Sequence, residues 1–533
     1  MRRALLYLLL TCASPGLARE PVDAAAPSNL SVTVYRDPNR GPDEAMRRDW
    51  PRGFAMISET RQVTLPAGES TIRFEGVSEG MVAVTAIVTG LPGGTIEKNR
   101  NADLLSPGAL VDGTLGNRVT ITRTDPATGR ETSESAIVRS RADGGLVLQT
   151  GSGFESVRCS GLPEKLSFDQ VPAGLSAKPV YSIDTASPQG GTYTVTLTYL
   201  SWGFDWQAHY VATLAGGGSA DDARLRLTSW LTLVNDNGQS FPEAELLAVA
   251  GRLRVTSDYA ALADPPKGRP LQLLCYPLGS TAAGSPVPYY GGGPYPPPPP
   301  PPPPMAAPVM LEGADTRGLP IMVTGSRMAK AAMIAKEEDL GDLKLYRVPE
   351  RVTLAAQSQK QIAFLERDRV DAQLWHTTYC APWQASDGDP RPAGRLLATV
   401  NDTHHGLGPA LPTGGVTVFE SGPAGELLVG EDRLRDYAAG QDVEIAVGES
   451  AQVFAACSTA DEADRRRPGD RVPMKLVVTN ANPSPVKLRV TLGGAAAKVA
   501  GLKGTRIKDG ARIYETTVAA NGRRELAWTI VDE

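Results

Sequence analysis

The chain has little of what most enzymes rely on. Its 533 residues include four histidines, and none belongs to an H-E-x-x-H, which excludes the common zinc-peptidase site. No P-loop, dinucleotide fingerprint or nucleophile elbow is read in it. A mainly antiparallel β chain would not supply the strand–turn–helix context that those motifs need. Basic residues are also short: 54 Lys and Arg stand against 59 Asp and Glu, for a net charge of −5. That opposes a general nucleic-acid role, because phosphate binding relies on clustered Lys and Arg. The one basic run, Arg465-Arg466-Arg467, lies among acidic residues and reads as a solvated loop. Of the five cysteines, no two share a C-x-x-C spacing, so nothing here points to a zinc knuckle. After the first residues no run reaches the ~20 apolar residues of a membrane helix.

What is present begins with an address. Arg2 and Arg3 precede the apolar run 4–10 and the small-residue stretch Ser14-Pro15-Gly16-Leu17-Ala18. This is the pattern of a secretory signal over residues 1–18. Lipidation at Cys12 is the alternative, against which stands the absence of a small residue just before it. Export implies an oxidising compartment and leaves Cys159, Cys275, Cys380 and Cys457. Sequence permits three full pairings of them. Cys380 with Cys457 is preferred because both lie in the C-terminal half, and free buried thiols are the competing reading.

Length and patterning call for an all-β protein of two or three sandwich or barrel-like domains. The 55 glycines and 44 prolines suit short strands joined by turns. Alternation is clear at 62–65 and 71–74 around the turn Pro66-Ala67-Gly68, and again at 118–122, 135–138 and 146–148. An N-terminal β domain is expected over 29–168. A central β domain over 169–385 opens on the long alternation 192–200, and a C-terminal β-sandwich is expected over 386–533. Within the central domain the composition shifts to Pro, Gly and Ala from about residue 256 to 340. There the nine prolines from Pro296 to Pro304 form a polyproline II segment of roughly 28 Å, unable to join a sheet ladder. Residues 329–338 are the one good helical candidate nearby.

Several blocks match a known pattern. YLSWGFDWQAHYVATL (199–214) and LTLVNDNGQSFPEAELLAVAG (231–251) resemble the C-terminal domain of mucoidy inhibitor A-like proteins. So do LYRVPERVTLAAQSQKQIAFL (345–365), GLGPALPTGGVTVFE (406–420) and GELLVGEDRL (425–434). The resemblance spans about 179–533 and implies an all-β, exported or envelope-associated protein without an established activity, so it carries over no catalytic residue. Longer members carry a coiled coil, and no sustained heptad pattern occurs here. With both flanks in one family domain, the proline-rich stretch reads as a long disordered loop projecting from a sheet. Inside it, Pro320-Ile321-Met322 followed by Val323, Thr324, Gly325, Ser326 and Arg327 resembles the short extended segment before the plug of TonB-dependent receptors. A chance β-prone pentamer is the plainer explanation. The sharper one is a docking strand, with Pro296 to Pro304 as a second docking element.

For chemistry, Asp205 and Glu243 stand beside these blocks, where turn and strand-end roles are the ordinary ones. Trp202, Phe204 and Trp206 would share one strand face, more suited to core than to ligand, and Tyr210 follows. His209 reads as a structural histidine. His404 and His405 stand before Gly406-Leu407-Gly408, so a loop is expected there, and because adjacent residues on a strand point to opposite faces, joint metal ligation is harder. No cofactor, metal ligand or catalytic residue is therefore assigned. The favoured function is a non-enzymatic periplasmic or outer-membrane-associated module that binds an envelope protein or polysaccharide. The alternative is an envelope glycan or peptide hydrolase, which a cleft of convergent carboxylates or histidines near Asp205, His209 or His404 would favour.

Overall fold

The computed structural model describes residues 19–41, 44–101, 104–141, 146–157, 164–172, 175–215, 223–263, 265, 271, 334–385, 388–423, 425–459 and 471–531. Strand makes up 63% of it and helix 3%, as expected of an all-β, multidomain chain. Among the described residues no helix is long and apolar enough to cross a membrane. Residues 1–18, where a secretory signal is expected, and the residues expected to dock, Pro296, Pro304, Val323, Thr324, Gly325, Ser326 and Arg327, lie outside the described residues.

Two compact units form, and they interleave along the chain. One comprises Met1–Ala102, Lys178–Pro266 and Ala331–Glu533, the other Asp103–Ala177 and Lys267–Lys330. The divisions expected in sequence lie near Phe168 and residue 385. The smaller unit runs through Phe168. Strand Ser358–Tyr379 belongs to two sheets at once, pairing first with Ala223–Asn235 and then with Arg391–Val400.

The larger unit is organised by the 24-residue strand Gly191–Leu214. Its first half pairs with Gly53–Leu65 on one side and Met81–Thr89 on the other. Its second half pairs with Ala223–Asn235 and, in parallel, with Gly414–Gly422. From Gly53–Leu65 the sheet continues through Asn29–Tyr35, a parallel Phe241–Ala250, Leu343–Arg347 and Lys336–Leu340. The last of these corrects the helix expected at 329–338. Residues 336–340 form the outer arm of a hairpin, and ladder pairing with Leu343–Arg347 overrides the local helical preference. Residues 329–333 lie outside the described residues.

A β-bulge between Trp202 and Phe204, with Gly203 at φ +87°, changes which side chains face inward. Before it the odd positions Val195, Leu197 and Tyr199 are buried, and after it the even positions Phe204, Trp206, Ala208 and Tyr210. The stripe expected at 202, 204 and 206 is therefore broken. Phe204 and Trp206 are core, whereas Trp202 is only half-buried. Three buried polar tips around this strand find partners: Trp206 Nε1 donates to Val249 O at 3.1 Å, Tyr210 to Pro412 O at 2.7 Å and Tyr346 to Ala410 O at 3.1 Å. Large aromatics of this kind are kept in a core when the N–H or O–H is satisfied.

Toward the C-terminus, residues 373–379 pair with Arg391–Val400 and, in parallel, with Val486–Gly494. One layer adds Asp442–Thr459, Arg471–Asn480 and Gly522–Val531, and the other adds Ala511–Val518 and Arg506–Lys508. Leu476, Val478, Leu488, Val490, Trp528 and Ile530 fill the core between them, a β-sandwich. Cys380 and Cys457 are joined by a disulfide, Cα atoms 5.5 Å apart. The smaller unit holds an antiparallel sheet, in order Gly153–Ser156, Val147–Thr150, Glu131–Val138, Arg118–Thr124 and Glu164–Ser167. Its short helix Pro107–Gly113 starts at a proline and is capped by Ser106, whose Oγ accepts from Ala109 N at 3.3 Å.

Candidate functional site

Two concavities of the larger unit hold charged side chains in defined positions. The first is a pocket of about 180 Å³ at the end of strand Asn29–Tyr35. Arg36 and Arg40 lie at its base, with side chains only 8% and 7% exposed. Arg36 forms a bidentate pair with Asp436 at 2.9 and 2.8 Å, donates to Gly251 O at 3.2 Å and stacks 5.6 Å over Trp206. Arg40 pairs with Asp205 and donates to Trp206 O at 3.1 Å. Asp205 also accepts the backbone N–H groups of Trp206 and Asp37, at 2.8 and 3.2 Å. Burial pushes the Asp205 carboxyl up, and Arg40 pulls against it. The base is thus a closed set of partners, which holds planar guanidinium forks in fixed orientation.

The rim differs. Arg252 and Arg435 are exposed. Arg435 lies 4.9 Å over the Tyr437 ring, and Arg252 reaches only the carbonyl of Pro38, at 3.4 Å. Among the described residues neither is paired with a carboxylate. Sequence reasoning missed this pocket because its arginines stand at 36, 40, 252 and 435. No local spacing unites them: the parallel pairing of Asn29–Tyr35 with Phe241–Ala250 brings Arg36 and Arg40 to Arg252, and Arg435 arrives by the separate route of Gly425–Leu434 through Gly414–Gly422.

The second concavity, about 470 Å³, lies beside Trp375. Arg489, 9% exposed, stacks 4.9 Å from the Trp375 centroid and donates to Glu515 at 2.8 Å and Glu444 at 2.7 Å. Lys508 reaches Asp442 at 2.6 Å and Glu444 at 3.4 Å. The hydrogen bond from Lys508 holds the Asp442 carboxyl below its usual range. Asp371 is held low by Arg369. On the wall of the same cleft stand His404 and His405. They sit in a turn rather than a strand, so the rule of opposite faces does not apply. Their ring centroids are 5.1 Å apart. Asp402 accepts both the backbone N–H of His405 and a contact from its Nδ1, each at 2.8 Å, and the first of these chiefly keeps its carboxyl low. The ligand atoms of Asp402, His404 and His405 all fall within 4.8 Å of one another. The divergence that a strand would impose on adjacent histidines is absent from this turn. An Asp-x-His-His-Gly string is a turn signal, and that signal was legible.

The other candidates are not gathered. His209 is half-buried, 3.5 Å from Thr417 Oγ1, with its imidazole pushed down by burial. His376 is buried and pushed down to about 4, by burial first and by Arg395. Glu243 is exposed, at φ +46° on an irregular strand. One string with nucleophile-elbow spacing, Gly76-Val77-Ser78-Glu79-Gly80, does occur, contrary to the reading that none is present. Its Ser78 is fully buried and bonds Ser201 at 2.6 Å and Asn237 at 2.9 Å. No histidine is among these partners, so it is a packed structural hydroxyl. No family model matches the chain, and no curated protein sequence matches it.

Proposed function

We propose that this chain is an exported, mucoidy inhibitor A-like envelope protein that binds a carboxylate-bearing envelope component without transforming it. One observation carries the reading. Two exposed guanidiniums without carboxylate partners among the described residues, Arg252 and Arg435, stand over a rigid base of buried, paired arginines. Free charge on a preorganised base favours an anion, because little ordering is left to do on binding. The blocks that carry the resemblance meet at this place, which supports the same reading. Asp205 and Trp206 come from one, Val249 and Gly251 from a second, Thr413 from a third, and Thr413 Oγ1 donates to Leu434 O of a fourth at 2.7 Å.

The test is crosslinking in intact cells from a photoreactive residue at the exposed Asn39, with fractionation of the product. Adducts to an acidic envelope component that vanish with Arg252→Glu/Arg435→Glu support the reading. A cytosolic, unprocessed product would sink export. Identical partners after deletion of residues 294–327 would sink the docking role of the proline-rich stretch.

The hydrolytic alternative is favoured by one observation, the carboxylates and two histidines around the larger cleft. Against it, Asp371, Asp402 and Asp442 are held low, opposite to what a general acid needs. Glu444 and Glu515 are both tied to Arg489. Release of product from envelope glycan or peptide fragments, lost in His404→Ala, would establish it in place of the binding reading.

A further inference from the structure

We propose that Asp402, His404 and His405 form a binding site for a borderline divalent transition ion of the Zn²⁺, Ni²⁺ or Cu²⁺ class. The proposal does not depend on either functional reading. Two imidazoles and a carboxylate are the donor set that suits these ions, as opposed to the all-oxygen sets of Ca²⁺ and Mg²⁺. A tetrahedral ion with bonds near 2.1 Å needs its ligand atoms about 3.4 Å apart. Asp402 Oδ1 and His405 Nδ1 stand 2.8 Å apart as a hydrogen-bonded pair, so loss of the shared proton and a small separation bring them to that spacing. With all three ligand atoms inside 4.8 Å, rotation of the exposed His404 ring closes the set.

The backbone beneath is fixed in advance. Asn401, fully buried, donates to Pro409 O at 2.8 Å and Ala438 O at 3.1 Å, and accepts from Gly408 N at 3.2 Å. The carbonyl of His405 accepts from Asp371 N at 2.9 Å, and that of Asp402 from Leu407 N at 2.8 Å. Gly406 follows at φ +90°, and a Cβ there would lie 2.2 Å from the Arg369 carbonyl oxygen, so only glycine fits at this point of the turn. Three protein ligands leave at least one coordination position open, as at ion sites that receive a further ligand. His404 and His405 line the larger cleft, so its contents are within reach of that position.

The experiment is calorimetric titration of Zn²⁺ into the full, tag-free chain. The expected result is one ion per chain in the micromolar range or tighter. Affinity should fall at least tenfold in His404→Ala and in the isosteric Asp402→Asn, with no change in His209→Ala. His404 is exposed, so its alanine variant keeps the fold, which a thermal melt checks. Electron paramagnetic resonance of the Cu²⁺ form should show coupling to two imidazole nitrogens. Binding that survives His404→Ala/His405→Ala, or none below the millimolar range, overturns the proposal and leaves Asp402 and His405 as an ordinary surface pair.

Discussion

Removing the Cys380–Cys457 bond tests how the C-terminal sandwich is held. The two cysteines are 77 residues apart in sequence, and a cross-link over such a loop removes about 4.5 kcal/mol of chain entropy from the unfolded state. Both sit in the sandwich core, 0% and 8% exposed, so Cys380→Ala/Cys457→Ala introduces only small cavities and no buried hydroxyl. The loss should appear where opening requires the sandwich to unfold. Hydrogen exchange read by mass spectrometry should accelerate by up to about a thousandfold at the most protected amides of Arg471–Asn480 and Gly522–Val531. Gly191–Leu214, packed in a separate core, should be unaffected. Reduction of the intact chain should have the same effect. An acceleration below tenfold, or one spread equally over both cores, would refute the reasoning.

Other perturbations have defined signs. Asp205→Ala strands a buried Arg40 and should cost about 3–5 kcal/mol in urea unfolding. Arg40→Met/Asp205→Leu should cost much less, because both charges leave together. Gly406→Ala, forced to positive φ against the Arg369 carbonyl, should lower the melting temperature and weaken Zn²⁺ binding together. His376 is held neutral, with its pKa down at about 4 from an ordinary 6.5. Between those values the unfolded chain binds the extra proton, so stability should fall as pH drops through that window. His376→Gln should flatten the slope in unfolding titrations across it.

The strands were legible and their partners were not. Alternation at 192–200 lies inside Gly191–Leu214, and the turn Pro66-Ala67-Gly68 does separate Gly53–Leu65 from Gly68–Glu75. A period of two says which side chains share a face, but not which strand lies alongside. Nothing local could show that Ser31–Tyr35 pairs with Glu245–Val249. The same limit explains Trp202, where a single bulge shifts the inward parity, and residues 336–340, where a ladder overrode a helical preference. It also hid the arginine pocket, which exists only once distant strands are joined. The loop at His404–His405 was legible in the Gly406-Leu407-Gly408 that follows it, whereas the approach of Asp402 was not.

The binding claim is tested most directly by titrating a uronic-acid oligosaccharide and an acidic peptide into the purified chain, at low and high salt. The account predicts saturable binding of at least one of them, weakened by salt and lost at least tenfold in Arg252→Ser/Arg435→Ser, with the melting temperature unchanged. Binding of equal strength in that variant, or none of either ligand by a folded chain, would contradict it.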